Sequence, residues 1–266
     1  MISYPLLKRN MVSCLKPFLI IFAVLCMYTL VIVYMYDPKM ADMLNQYQEA
    51  LPGIMAAAGM TGIASSLLEW MQIYLYGFLM ILFPLIFTII IVHKMVMSYI
   101  DNGSMANLLA TPNSRRTIIC TQALSVVLWM GILMVAVTAV GIAGSQMMFP
   151  GELDVKRYLM LNGSTLLMQL LICGIVFLAA CICSETKNFY GLGAGFPILF
   201  FLMQMLSNMG EKLENLKYLT VYTLLPTAEI VKGQDGIWGQ NLVMAVLAVI
   251  LFGSGIWWFC RRDLSL

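Results

Sequence analysis

Charge is scarce in this 266-residue chain: Asp, Glu, Lys and Arg make up 11% of it, less than half of the roughly 25% carried by soluble globular domains. The little there is avoids six apolar stretches, residues 18–36, 71–92, 117–142, 158–183, 189–206 and 242–259, which contain no charged side chain. Each is near or above the roughly 20 residues needed to cross a hydrocarbon core of about 30 Å. The segments between them are too short to hold a soluble catalytic domain. Carriers driven by ion gradients usually need ionisable groups within the membrane, so the energy for any transport is expected to enter from outside the bilayer.

Other absences narrow the chemistry. No Gly-x-x-x-x-Gly-Lys-Ser/Thr phosphate loop occurs, which excludes ATP binding of the P-loop kind. His93 is the single histidine, which removes a His-Glu-x-x-His metal helix. The charge-free spans remove a paired-aspartate protease, and Ser125, Ser145 and Ser164 have no evident base to activate them. Enzyme activity is not expected. His93, beside Lys94 at one end of the second stretch, reads as an interfacial anchor. The seven cysteines, Cys14, Cys26, Cys120, Cys173, Cys181, Cys183 and Cys260, all fall in the spans or near the side holding most Lys and Arg, which leaves no extracellular disulfide. Cys181-x-Cys183 lacks the further ligands of a closed metal site. The 23 methionines could include soft Cu(I) ligands, with Met55, Met60, Met147 and Met148 on the outer side. Their dispersal through every span suits flexible apolar packing better.

What remains is topology. With a cytoplasmic N-terminus, nine Lys and Arg face inward and six outward, so both termini are expected in the cytoplasm. The first stretch is too long for a signal-peptide core and is followed by Asp37-Pro38-Lys39, so it reads as a retained anchor. The basic, acid-free residues 1–17 suit either an amphipathic helix on the inner leaflet or a plain positive flank. Met40, Met43, Leu44, Tyr47, Leu51, Ile54 and Met55 recur at helical spacing, interrupted at Pro52, and predict two short helices on the outer surface, with Gly59 and Gly62 at the turn into the second span. Residues 184–188 force the fourth and fifth spans to be antiparallel neighbours. Gly191, Gly193 and Gly195 with Pro197 predict either close packing or a bent gate helix. Residues 207–240 read as a re-entrant or interfacial helical element, which would lie against protein or a cavity.

The inner loop 93–116 carries the sharpest pattern. Asp101, Asn102 and Ser104 offer helix N-caps; Met105, Leu108 and Leu109 then form a short apolar stripe that ends at Pro112. Such a helix suits insertion into a partner's groove, and lying flat on the membrane is the alternative. The sequence Asp101-x-Gly103-Ser104, Leu108-Leu109, Thr111-Pro112, Ser114-Arg115 resembles the pattern of permease subunits of ABC-2 type ATP-binding-cassette transporters, with Asp101 in place of the more usual Glu. The final Phe259-Cys260-Arg261-Arg262-Asp263-Leu264 is similar to their chain ends, and six spans and the element before the last span match as well.

That resemblance implies an all-α integral membrane fold of six transmembrane helices, of the ABC-2 (type V exporter-like) kind, forming one permease domain over residues 1–266 in a bacterial plasma membrane. It implies a coupling helix built from Asp101, Gly103, Ser104, Met105, Leu108, Leu109, Pro112 and Arg115. It further implies two ABC ATPase subunits per complex, with ATP and Mg on them and no cofactor on this chain, and a second permease, identical or paralogous. No nucleic-acid partner is implied. The cargo would be amphipathic or hydrophobic: a drug, an antimicrobial peptide or a lipid-like molecule. A secondary transporter would be expected to show midplane carboxylates and internal repeats, and neither is evident; a non-transporting immunity or scaffold protein is a third reading.

Overall fold

The computed structural model describes residues 2–36, 53, 64–110, 113–208, 211–234 and 237–262. Every element among them is helical: α1 (Tyr4–Ser13), α2 (Leu15–Tyr34), α3 (Leu67–Met71), α4 (Leu79–Val92), α5 (Ser98–Asp101), α6 (Met105–Leu109), α7 (Arg115–Met148), α8 (Val155–Ile182), α9 (Thr186–Phe189), α10 (Gly195–Ser207), α11 (Thr227–Lys232) and α12 (Ile237–Arg261). Three π-helical turns, Gln72–Tyr76, His93–Met97 and Tyr190–Ala194, and two 3₁₀ helices, Glu211–Leu219 and Val221–Leu224, complete the order. Among the described residues, six helices are long and apolar enough to cross a membrane: Leu15–Tyr34, Leu79–Asp101, Arg115–Met148, Val155–Ile182, Thr186–Ser207 and Ile237–Arg261. The amphipathic 40–55 pattern, with Gly59 and Gly62, lies outside the described residues.

The helix ends differ from the apolar runs because caps, not hydropathy, set them. Ser114 Oγ accepts from Thr117 N at 3.1 Å and Asp154 Oδ1 accepts from Arg157 N at 3.1 Å, starting α7 and α8 with polar residues. The second span is displaced most. It breaks at Gly77 and Phe78 and then runs through a π turn to Asp101, so residues 93–101, expected in the loop, are helical.

The N-terminal residues form a helix packed along α7, with Lys8 and Arg9 exposed. Ser3 N donates to Thr121 Oγ1 and Asn10 Nδ2 donates to Ser125 Oγ, both at 3.0 Å. Ser125 is thereby occupied as a packing partner.

Helix α8 is the most buried of the six long helices and packs most extensively on α12, then on α4 and α7. Small residues make the α8–α12 seam close: a Cβ on Gly174 would stand 2.9 Å from Leu251 Cβ, and one on Gly255 would meet Phe177 at 3.2 Å. This is how helices associate where water supplies no hydrophobic drive. Gly141 likewise leaves room in α7 for the Tyr158 hydroxyl.

A polar side chain repairs the backbone inside the apolar layer. Pro84 has no N–H, so it leaves the carbonyl of Met80 without its helical donor. Gln169 Nε2, reaching from α8, donates to that oxygen at 2.9 Å. An unsatisfied backbone carbonyl in hydrocarbon is costly. Gln169→Leu is therefore expected to destabilise the protein by about 1–3 kcal/mol, read as a lowered unfolding temperature in detergent, whereas Pro84→Ala in that background should restore part of the loss.

Candidate functional site: a tethered loop and a cavity at the opposite end

The loop following the second span is tied to three other helices. Helix α5 ends at Asp101, whose carboxylate Oδ1 accepts from Thr186 N at 3.2 Å. Glu185, the N-cap residue of α9, makes no side-chain cap of its own, so Asp101 supplies that acceptor from another segment. This differs from the sequence expectation that Asp101 caps the loop's own helix. Gly103, at φ +67°, closes the preceding turn in a left-handed conformation suited to glycine. Its N–H donates to Ile100 O at 3.1 Å. Ser104 begins α6, its carbonyl accepting from Leu108 N at 3.3 Å, while its hydroxyl reaches Tyr99 O at 3.5 Å.

The apolar stripe divides. Met105 is fully buried in this chain's own core and Leu108 is half-buried against it. Met105, expected on the stripe offered to a partner, instead packs into this chain's own core. Leu109's side chain and Pro112 lie outside what is described. Among the described side chains of the loop, Asp101, Asn102, Gly103, Asn107 and Ala110 are exposed.

At its far end the loop is fixed again. Arg115 Nη1 donates to the backbone oxygen of Arg262 at 3.1 Å. The Arg262 guanidinium, in turn, donates to Cys181 O and Cys183 O, both at 2.8 Å, and to Ser184 Oγ at 2.9 Å. A cation on the terminal carbonyls of α8 is favoured by the helix dipole and satisfies groups with no helical donor. Burial lowers the Arg262 pKa, against the opposing influence of the neighbouring thiols. Burial also pushes the Cys183 thiol up. Arg262 was visible in the sequence only as part of a chain-end pattern, because its partners are some 80 residues away.

Two π turns meet beside this loop. His93 stacks on Tyr190 with ring centroids 5.4 Å apart and 18° between planes, and Phe189 lies at 6.0 Å. His93 thus joins the second and fifth spans, where an interfacial anchor was expected. Gly193 packs closely, since a Cβ there would stand 3.0 Å from Phe189 and 3.2 Å from Ala179.

At the opposite end, a polar cavity of about 330 Å³ opens between the start of the second span, the end of α10 and residues 222–232; Glu69, Gln72, Gln204, Tyr222 and Lys232 are among its lining residues. Gln72 Nε2 donates to Thr227 Oγ1 at 3.2 Å. Burial raises the Glu69 pKa, but hydrogen bonds from the Ser65 hydroxyl and amide and from the Ser66 amide, with Lys232 nearby, outweigh it and hold the carboxyl below its ordinary value. Tyr222, Ile230 and Val231 are buried, so the segment before the last span is held against protein. No group of three metal-ligating side chains occurs among the described residues.

Residues 13–264 match the family described as ABC-2 family transporter protein. The chain belongs to that family. No curated protein matches it. It is accordingly an ABC-2 permease, a multi-pass membrane component of an ABC transporter, and membership implies in general an ABC ATPase as partner. The six membrane-length helices and the absence of strands among the described residues agree with that fold.

Proposed function

We propose that this permease is the membrane subunit of an ATP-driven bacterial exporter whose energy comes from a separate ATPase carrying ATP and Mg. Two permeases, identical or paralogous, would assemble with two ATPases, with both chain termini in the cytoplasm and the cargo an amphipathic or hydrophobic drug, peptide or lipid-like molecule. One observation carries the reading. The exposed tip at Asn102, Gly103 and Asn107 lies between two anchors, Asp101 on Thr186 and Arg115 on Arg262. A push on Asp101 reaches the fifth span through its bond to Thr186, and one on Arg115 reaches the fourth and sixth spans through Arg262.

Docking is best tested at exposed residues, because Leu108 packs on the chain's own core. Asn107→Trp and Asn102→Trp are each expected to reduce recovery of the co-expressed ATPase at least about tenfold, equivalent to roughly 1.4 kcal/mol, with membrane insertion unchanged. Asp101→Ala should be milder, costing about 1 kcal/mol, as the loss of a helix cap does. Full ATPase recovery and transport by both Trp variants would place docking elsewhere. A cysteine at Asn107 should label with an impermeant reagent only after the cells are opened.

A further inference from the structure

A second depression lies between α8 and α12, and it continues down the helices. Its upper part, about 380 Å³, is lined by Asp154, Lys156, Arg157 and Gln234 together with Met160, Ile237 and Trp238. The last three also line an apolar hollow of about 210 Å³ below, with Gly163, Ser164, Leu167 and Asn241. The two volumes form one groove, polar above and apolar beneath. Between Lys156 and Leu167 the helix rises about 16 Å at roughly 1.5 Å per residue, close to half of a hydrocarbon core about 30 Å thick. The groove therefore matches the depth of one leaflet.

Its chemistry is graded in the same direction. Arg157 is fixed at the mouth: Nε pairs with Asp154 Oδ2 at 3.3 Å, and Nη1 donates to Val231 O at 3.0 Å. Lys156 is exposed and has no ion-pair partner among the described residues. Two cations against one carboxylate leave the mouth net positive. Trp238, 75% exposed beside them, is the residue type that settles where headgroups meet hydrocarbon. Lower down, Ser164 is only 2% exposed and its hydroxyl has no hydrogen-bond partner. That oxygen is shut away beneath the groove wall, so what the lower hollow offers an occupant is the apolar lining of Gly163, Leu167, Ile237 and Trp238.

We propose that this groove binds one anionic phospholipid of the adjoining leaflet, with its phosphate at Lys156 and Arg157 and an acyl chain along Gly163 and Leu167. The site is independent of the ATPase reading, and its test needs no ATPase. Gly163 offers a clean variant because a Cβ there would meet no atom within 4 Å. Gly163→Phe fills the groove without entering the core. The permease is purified and equilibrated with mixed phosphatidylglycerol and phosphatidylcholine, and retained lipid is weighed by native mass spectrometry.

One phosphatidylglycerol per chain should be retained at least about tenfold over phosphatidylcholine. Gly163→Phe and Lys156→Gln should each lower that retention severalfold at an unchanged unfolding temperature, and inorganic phosphate should not compete. Equal retention of the two lipids, or full retention by Gly163→Phe, would overturn the proposal. So would displacement by phosphate alone, which would make the mouth a free-anion site. A disulfide between two copies carrying Trp238→Cys, with no lipid retained, would assign the groove to a second copy of this chain and equally overturn it.

Discussion

Arg262→Met is expected to open the loop end of the permease and to cut transport at least about tenfold. The side chain donates three hydrogen bonds, two of them to carbonyls at the end of α8, and bonds made by a charged group contribute about 1.5–3 kcal/mol each. Methionine keeps the apolar stem but satisfies none of those oxygens. The anchor for Arg115 loosens with it, since that bond is made to the Arg262 backbone. Cys183 provides a local readout: the residue is 5% exposed in the intact protein, and its thiol should gain reactivity toward a thiol reagent in the variant. Lysine should restore part of the function, because a point charge reaches one or two of the acceptors but lacks the planar fork. Wild-type thiol protection and wild-type transport in Arg262→Met would show that the clamp does not hold the loop end together.

The second large effect belongs to the α8–α12 seam. Gly174→Leu should prevent accumulation of folded protein, because even the first added carbon meets Leu251 Cβ at 2.9 Å and the Ala248 carbonyl at 3.5 Å. Overpacking of a close-fitting core costs about 1–3 kcal/mol and more where backbones must part. Size-exclusion chromatography in detergent should show aggregate. Leu251→Gly in the same chain should recover a monodisperse fraction, since it removes Leu251 Cβ, the first atom met. Ordinary yield and unfolding temperature for Gly174→Leu alone would mean that the seam is looser than drawn.

The spans were legible because charge is expensive in hydrocarbon, so its absence over twenty residues leaves a long continuous mark. Their ends were less so. Ser114 and Asp154 start helices on polar residues outside the apolar runs, and the second span continues through His93 and Lys94 to Asp101. The spacing of Met105 and Leu108 told which residues share a helix face but not which body that face covers, and the body proved to be the chain itself. Asp101 with Thr186, Arg262 with Cys181, and Gln169 with Met80 join residues far apart in sequence. No local pattern encodes such pairs, although a lone glutamine in an apolar helix opposite a mid-helix proline was a signal that could have been read. Gly191, Gly193 and Gly195 were legible as a place where helix geometry would be unusual, and a π turn stands there.

The π turn at His93–Met97 winds its backbone more widely than the α-helix on either side of it and takes up one residue beyond an ordinary turn. Everything after it is rotated by about 100° from where an unbroken helix beginning at Leu79 would set it. The heading of the exposed loop is thus encoded in winding number rather than in any side chain. Deleting one residue between 93 and 97 would leave the apolar span in the bilayer and the loop sequence intact, yet turn Asp101 to a different side of the molecule from Thr186.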